Sequence, residues 1–315
     1  MKPRIILAGG SGFLGKALAA HFKAREFELV VLTRSAGRSN GARQVVWDAQ
    51  TIGPWQSELE GAAALVNLTG KSVNCRYNGP NRQEMLSSRV GSTRVLGQAI
   101  AKCTRPPKVW LNASTATIYR HTFGNAWAEN GAIEATTEAK DAFSIDVALA
   151  WERALNEAPT PDTRKIAMRT AMVLGLADNS VFPMLRRLVC LGLGGRMGSG
   201  RQFVSWIHEV DFCRATEWLI NHEELEGPVN IAAPNPIPNA EMMKLLRQVC
   251  RMPIGLPVES WMLEVGAFFL RTETELIIKS RRVIPNRLVE SGFNFRVPAI
   301  EEAFKALNEA SMAVS

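Results

Sequence analysis

Short apolar runs separated by amphipathic stretches fill the first half of the chain. The apolar runs predict six strands, at Arg4–Ala8, Leu29–Thr33, Gln44–Trp47, Ala64–Leu68, Val109–Ser114 and Lys165–Leu174. Apolar positions at helical spacing predict helices over Gly12–Lys23, Met85–Lys102 and Ala139–Glu157. Strands that alternate with helices indicate βαβ units, and therefore a parallel sheet that is covered on both faces.

The pattern changes after Gly175. The segment Gly192–Gly200 holds five glycines, and strand–helix alternation is absent until Pro228–Ala232, which predicts one more strand of the sheet. The remainder is predicted to be helices broken by prolines and loops. We therefore predict an α/β chain with a Rossmann doubly wound parallel sheet over residues 1–175, completed by the strand near 228–232. A smaller, mostly helical substrate-side region is expected over residues 176–227 and 233–315.

Composition narrows the class of protein. A hydrophobic fraction of 46% and a charged fraction of 21% are typical of a soluble globule. No apolar run reaches the roughly 18 residues needed to span a bilayer, and the run Ile5–Leu7 is too short for a signal peptide. We expect a cytoplasmic protein that does not associate with membranes.

Cysteines, histidines and net charge exclude further classes. The five cysteines are scattered and form no CxxC pair, which argues against a disulfide framework and a zinc site. The four histidines are equally dispersed, so no metal is expected. The basic residues behind the net charge of +7 are spread along the chain, which favours a solvated surface over nucleic-acid binding.

A glycine-rich turn joins the first strand to the first helix. Gly9 permits a tight turn, Gly12 lets the backbone approach a pyrophosphate, and Gly15 lets the helix pack closely on the strand. The free N–H groups at the helix start are expected to face the phosphates. Dinucleotide contacts are therefore predicted from Gly9, Ser11, Gly12, Phe13, Leu14 and Gly15.

The end of the second strand indicates which dinucleotide is bound. An NAD site places an acidic residue there for the ribose 2′-hydroxyl, whereas this chain has Thr33-Arg34-Ser35, with Arg38 close behind. A guanidinium suits a 2′-phosphate through bidentate, charge-assisted hydrogen bonds. We therefore predict NADP(H) rather than NAD(H), with Asp48 placed to meet the adenine amino group.

Several further segments resemble one family. The glycine spacing resembles that of the extended short-chain dehydrogenases/reductases, and Val66–Gly70, Ser87–Thr93 and Ser114–Tyr119 resemble the parts of that superfamily that line the cofactor and carry an active-site Ser or Thr. A subgroup of "epimerase family" proteins is the nearest resemblance. Its marks are Cys75-Arg76-Tyr77, Leu191–Arg201, Ser205–His208 and Arg282–Phe293, the last within a C-terminal domain of unknown function.

The resemblance implies further site residues. It implies cofactor contacts from Thr33, Arg34, Leu68, Thr69, Gly70, Glu84, Arg89, Ser114 and Val173. It names no substrate. Pairing through the two long helices is also plausible by analogy, so a homodimer is expected on that basis alone.

The usual catalytic pair of the superfamily is missing. Short-chain dehydrogenases use Tyr-x-x-x-Lys, in which the lysine lowers the pKa of the tyrosine that passes a proton. Neither Tyr77 nor Tyr119 is followed four residues later by lysine, and alignment on Trp151-Glu152 puts Ser144 and Ala148 in the places of the pair.

Three functions remain open. An NADP(H)-dependent oxidoreductase acting on an unknown small polar substrate needs another acid, for which Thr115 and Tyr119 are the candidates at the fifth strand. Cys75, Arg76, Arg196 and His208 are then expected on the substrate side, with the Gly192–Arg201 loop as a lid or as a connector. The alternatives are a non-catalytic NADP(H)-binding sensor or partner-binding protein, and a sugar-nucleotide epimerase or dehydratase.

Overall fold

A computed structural model describes residues 2–35, 37, 42–259 and 275–314. The strands are β1 Arg4–Ala8, β2 Glu28–Thr33, β3 Arg43–Val46, β4 Ala64–Asn67, β5 Val109–Thr115, β6 Arg164–Thr170, β7 Met172–Leu174, β8 Phe203–Val204, β9 Trp206–His208, β10 Gly227–Ile231 and β11 Ile237–Pro238. The α-helices are α1 Phe13–Lys23, α2 Gly79–Ile100, α3 Ala142–Asn156, α4 Val181–Cys190, α5 Glu209–Asn221, α6 Asn239–Val249, α7 Glu275–Ile278, α8 Asn286–Glu290 and α9 Ile300–Val314. Two 3₁₀ turns, Pro54–Leu59 and Ala116–Ile118, lie among them.

A parallel sheet forms the centre of the molecule. In the described part of the chain it has seven strands in the order β10-β6-β5-β4-β1-β2-β3. Both faces are covered, because alternate residues of each strand enter different cores. Ile5 and Leu7 of β1 pack with α1 and α5 on one face, whereas Ile6 packs with α2 and α3 on the other. The predicted doubly wound fold is therefore confirmed.

A third core lies beside the sheet. It joins Phe182 and Leu185 of α4, Leu246 of α6 and Phe304 of α9, all buried. Helices of the C-terminal half form most of this core, in agreement with the helical region that the sequence predicts there.

Two predictions about this half were wrong in detail. The sixth predicted strand, Lys165–Leu174, is broken at Ala171, whose N–H donates to the carbonyl of Ile231 at 3.0 Å. Beyond the break, β7 leaves the main sheet and pairs with β9. The stretch predicted to lack alternation contains α4, β8, β9 and α5. The strands β8 and β9 span two or three residues each, too few for periodicity to reveal.

The second helix begins earlier than predicted. The apolar pattern predicts its start at Met85, but α2 starts at Gly79. The Asn78 side chain accepts a hydrogen bond from the Asn81 N–H at 3.0 Å, and Pro80 occupies the first turn. An asparagine N-cap followed by proline is a favourable helix start, although the first turn carries few apolar residues.

Candidate functional site

The site lies at the carboxyl edge of the sheet, where the strand order reverses. From β1 the chain builds β2 and β3 on one side and β4, β5 and β6 on the other. The loops after β1 and β4 therefore diverge and leave a crevice, the usual ligand site in open α/β sheets.

The glycine turn after β1 has no room for side chains. Gly9 has a φ of +77°, and a Cβ on it would lie 2.9 Å from the backbone of Leu68 and Thr69. A Cβ on Gly15 would lie 2.4 Å from the Cα of Gly10, so the helix packs on the turn itself. The turn is thereby held tightly against β4 and α1.

The first turn of α1 presents unpaired N–H groups. Its N-cap is Gly12, at φ −75°, no side chain of the described residues caps it, and its first turn carries no acidic residue. Helix N-termini of this kind attract anions through their N–H groups and the helix dipole. Ser11 is exposed beside it, Phe13 is partly buried, and Leu14 packs against the core beneath.

A buried hydroxyl lies across from the glycine turn. The Thr69 N–H donates to Asn67 Oδ1 at 3.0 Å, which fixes the loop after β4. Its Oγ1 is buried and has no hydrogen-bond partner among the described residues. Buried hydroxyls are normally paired, so this oxygen suits a polar ligand group. The pyrophosphate of a dinucleotide therefore fits between the glycine turn after β1, the N-terminus of α1 and the Thr69 hydroxyl.

The end of β2 supplies the predicted specificity residues. Thr33 is buried and its hydroxyl donates to the Ser35 carbonyl at 3.1 Å, whereas Arg34 is exposed. Arg38 lies outside the described residues. Asp48 accepts hydrogen bonds from the hydroxyl and N–H of Thr51, which lower the pKa of its carboxyl to about 2, with the Gln50 N–H contributing. The Asp48 carboxylate thus stabilises the turn formed by residues 48–51.

Arg89 of α2 anchors the loop after β4. Its guanidinium donates to the carbonyls of Met85 at 3.0 Å and Lys71 at 2.9 Å and lies over the Trp151 ring. Burial lowers the pKa of this guanidinium. Its side chain also packs on Gly70, 3.2 Å from where a Cβ would stand.

Three other predicted residues belong to the same loop and helix. Glu84 is exposed and ion-paired with Lys71 at 2.5 Å. The thiol of Cys75 donates to the Ser72 carbonyl at 3.5 Å, and Arg76 beside it is partly buried.

Ser114 and Tyr119 belong to a buried polar network at the end of β5. The Ser114 hydroxyl donates to Glu152 at 2.6 Å, and Glu152 accepts two hydrogen bonds of 2.8 Å from Arg169. Arg169 donates to the Tyr119 hydroxyl at 2.9 Å, which in turn donates to Asn230 at 2.8 Å.

This network argues against the predicted catalytic role of Tyr119. Only 1% of Tyr119 is exposed, and its hydroxyl is already fully engaged. Thr115 remains partly exposed, with its hydroxyl accepting from the Thr117 N–H at 3.1 Å.

A second polar cluster was missed by sequence reasoning. The Ser144 hydroxyl, in the first turn of α3, donates to Glu275 at 2.8 Å, and Tyr77 is hydrogen-bonded to Ser144. Lys279 donates to the Thr117 carbonyl at 2.5 Å, close to the end of β5. These residues come from segments far apart in sequence, and none stands in a spacing that indicates a site.

Lys279 is itself held by a buried ion pair. Its ammonium lies 2.5 Å from the Asp141 carboxylate, and both side chains are wholly inaccessible to solvent. Burial lowers the pKa of Lys279, and the Asp141 pair opposes that shift.

The remaining predicted residues follow β6 in the chain. Val173 is in β7, paired with Ile207 of β9. His208 caps α5, since its Nδ1 accepts from the Val210 N–H at 3.2 Å, and burial lowers its pKa. Its Nε2 is buried without a partner among the described residues.

The Gly192–Arg201 loop is fixed to a neighbouring segment. Arg196 pairs with Glu259 at 2.6 Å, and its carbonyl accepts from the Val258 N–H at 2.9 Å. The Gly195 N–H donates to the Leu256 carbonyl at 3.1 Å. Arg196 therefore has a carboxylate partner within this part of the chain.

Metal and membrane sites are not apparent in the described ranges. Those residues contain no cluster of three or more His, Cys, Asp or Glu side chains able to hold a metal ion. None of the helices they form is long and apolar enough to cross a membrane.

Comparison with known proteins agrees with this geometry. Residues 5–232 match the NAD dependent epimerase/dehydratase family, and residues 260–307 match a domain of unknown function, DUF1731. The epimerase family protein SDR39U1 of Bos taurus is 30% identical over 306 residues, covering 96% of this chain and 98% of its own.

Solved structures show the same fold. A crystal structure of human SDR39U1 with NADPH superposes with a TM-score of 0.85 at 27% identity, covering 97% of this chain and 99% of its own. The UDP-N-acetylglucosamine 4-epimerase of Bacillus cereus gives a TM-score of 0.77 at 16% identity, covering 100% and 98%. At that identity the second likeness concerns the fold alone.

Proposed function

This chain belongs to the NAD dependent epimerase/dehydratase family, and we propose that it is an NADP(H)-dependent oxidoreductase acting on a small polar substrate. One observation carries the cofactor assignment. The turn after β1 is shaped for a pyrophosphate, while the end of β2 carries Arg34 where an NAD site has an acidic residue. The relative whose structure contains NADPH supports the same choice.

Different loops of the described chain would bind different parts of the cofactor. Gly9, Gly12 and the first N–H groups of α1 would hold the pyrophosphate, with the Thr69 hydroxyl opposite. Arg34 is exposed and would reach the 2′-phosphate of the adenosine ribose. Bound NADPH supplies a hydride, and the protein must then orient a substrate and provide a proton.

The proton-handling groups favour an enzyme over a passive binding module. The cluster of Tyr77, Ser144 and Glu275 brings together a phenol, a hydroxyl and a carboxyl. A module that only senses cofactor redox state needs no such set. A specific observation still favours the sensor as the second candidate, because Ser144 and Ala148 occupy the places of the usual tyrosine and lysine.

A substrate screen tests the proposal. The purified protein is mixed with NADPH and a panel of aldehydes, ketones, enones and nucleotide sugars, and loss of reduced-nicotinamide absorbance is followed, with NADH in parallel. We expect NADPH oxidation with at least one carbonyl class and slower oxidation of NADH. Binding of NADPH without turnover on the whole panel, together with protease sensitivity that differs between NADP⁺ and NADPH, favours the sensor instead.

A further inference from the structure

The family's tyrosine position is occupied by a serine that contacts another tyrosine. Alignment on Trp151-Glu152 puts Ser144, in the first turn of α3, in the place of the tyrosine of the usual Tyr-x-x-x-Lys pattern. Tyr77 comes from the loop between β4 and α2 and is hydrogen-bonded to Ser144. Its ring packs edge-on against Phe143, with 5.4 Å between ring centroids. A phenol is thus present at this place, contributed by a different element.

Ser144 also contacts a buried carboxyl group, that of Glu275. The Ser144 hydroxyl donates to Glu275 Oε2 at 2.8 Å, and Glu275 is only 6% exposed. The other carboxyl oxygen, Oε1, is buried and has no partner among the described residues. Burial raises the pKa of this carboxyl, with the Ser144 hydrogen bond opposing the shift, so it can hold a proton.

Positive charge reaches the cluster from the same C-terminal segment. Lys279 donates to the Thr117 carbonyl at 2.5 Å, and Arg281 donates to the Thr117 hydroxyl at 3.1 Å. Alignment on Trp151-Glu152 puts Ala148 in the place of the family's lysine. Of these two cations, Arg281 is the one whose charge acts on the phenol, where it opposes the rise in the Tyr77 pKa.

Tyr77 and Tyr119 differ in accessibility. Tyr77 is partly exposed, whereas Tyr119 is 99% buried and engaged by Arg169 and Asn230. Burial, reinforced by the Glu275 charge, raises the pKa of Tyr77 to about 12, so its phenol carries its proton at neutral pH. A general acid must be protonated and must be accessible to a substrate; of the two tyrosines, both described, only Tyr77 combines a protonated phenol with partial exposure.

We propose that Tyr77 is the catalytic acid of this site, and that Ser144 and Glu275 form the relay that returns its proton. The C-terminal segment that matches the domain of unknown function thereby completes the catalytic site, because it contributes Glu275. This inference rests on the proposed function, since it requires a bound nicotinamide.

The proton and electron count is that of a carbonyl reduction. A hydride passes from NADPH to the carbonyl carbon, the C=O π pair moves to oxygen, and that oxygen takes the phenolic proton of Tyr77. The tyrosinate takes the Ser144 hydroxyl proton. Glu275, which accepts from Ser144 in the resting site, takes a proton from water, which is left as hydroxide, and passes that proton to the Ser144 oxygen. NADPH is oxidised and the carbonyl compound becomes an alcohol; the reverse sequence oxidises the alcohol.

A spectroscopic test needs no substrate. The chain has only two tyrosines, so tyrosinate absorbance in Tyr119→Phe reports Tyr77 alone. NADP⁺ and NADPH differ mainly in the positive charge of the nicotinamide ring, which lowers the pKa of a neighbouring phenol by about one unit. From a starting pKa of about 12, such a shift gives about eightfold more tyrosinate at about pH 10.5 with NADP⁺ than with NADPH.

Controls keep this test decisive. If Tyr119→Phe does not fold, the difference between wild type and Tyr77→Phe gives the same signal. Glu275→Gln removes a negative charge beside the phenol and should increase the tyrosinate fraction further. Equal tyrosinate with NADP⁺ and NADPH, while both are bound, shows that the phenol is not beside the ring and overturns the inference.

The kinetic test uses whichever substrate the screen identifies. Loss of a general acid costs about 10²–10⁴-fold in rate, so kcat of Tyr77→Phe should fall at least about 100-fold with NADPH affinity unchanged. This fall should exceed that of Tyr119→Phe at least about tenfold. A larger effect of Tyr119→Phe overturns the inference but leaves the proposed function standing, whereas failure of wild type to bind NADPH overturns the proposed function itself.

Discussion

Alanine at two glycines of the same turn should separate cofactor binding from folding. At Gly15 the added Cβ would lie 2.4 Å from the Cα and 2.6 Å from the carbonyl carbon of Gly10. Both are backbone atoms, so α1 must move away from the turn. At Gly12 the nearest heavy atom would be the Gly9 carbonyl oxygen at 3.8 Å, an ordinary contact, and the φ of −75° suits alanine.

The magnitudes follow from these contacts. Overpacking costs about 1–3 kcal/mol, and alanine's better helix propensity returns at most about 1 kcal/mol. Gly15→Ala should therefore lower the free energy of unfolding by about 1–2 kcal/mol, which is a fall in Tm of about 1.5–3 °C for a chain of this size. Gly12→Ala should change stability by less than about 0.5 kcal/mol, because the loss of a favourable N-cap residue is offset by the lower entropy of alanine in the unfolded chain.

Cofactor affinity should show the opposite order. In Gly12→Ala the methyl group occupies the space where the pyrophosphate approaches the backbone, so Kd for NADPH should rise at least about tenfold, or 1.4 kcal/mol. Thermal unfolding by circular dichroism and NADPH titration by fluorescence measure the two quantities on the same samples. Wild-type affinity in Gly12→Ala, or equal losses of stability in the two variants, would refute the reasoning.

Two further predictions concern buried carboxylates. Glu152→Gln leaves the buried guanidinium of Arg169 without its charged partner, so the free energy of unfolding should fall by about 3 kcal/mol; an unchanged urea midpoint contradicts this. Burial raises the pKa of Glu209 above its ordinary value of 4.5. Its contribution to stability is present below that value and lost as pH rises through the folded pKa. Glu209→Gln should therefore gain stability over wild type at neutral pH, and no gain there would contradict the assignment.

The sheet was predictable because its strands are buried on both faces. Such strands give continuous apolar runs bounded by glycine and polar residues, and β1 was predicted at Arg4–Ala8, the range it occupies. The break at Ala171 was not predictable, because it depends on pairing with Ile231 and, beyond it, on the Ser205 carbonyl that accepts from Met172. Apolar character continues across the break, so the sequence shows one strand.

One part of the candidate site was predictable from the sequence and another part was not. The glycine turn is contiguous in sequence, and its chemistry follows from residue types at fixed spacing. The contact between Ser144 and Glu275 joins residues 131 positions apart, and it forms only when the C-terminal segment packs against α3. The end of the fifth strand indicates Tyr119 as a candidate acid, whereas its burial against Arg169 arises from tertiary packing that residue spacing does not show.

Cofactor discrimination by Arg34 tests the central claim most directly. Wild type and Arg34→Ala are titrated with NADPH and NADH, with tryptophan quenching and nicotinamide emission as signals; the ratio of the two Kd values cancels general losses of affinity. We predict that wild type binds NADPH at least about tenfold more tightly than NADH, a difference of 1.4 kcal/mol, and that Arg34→Ala abolishes the preference. Equal affinity for the two nucleotides, or a preference that survives in Arg34→Ala, would contradict the assignment of NADP(H) through Arg34.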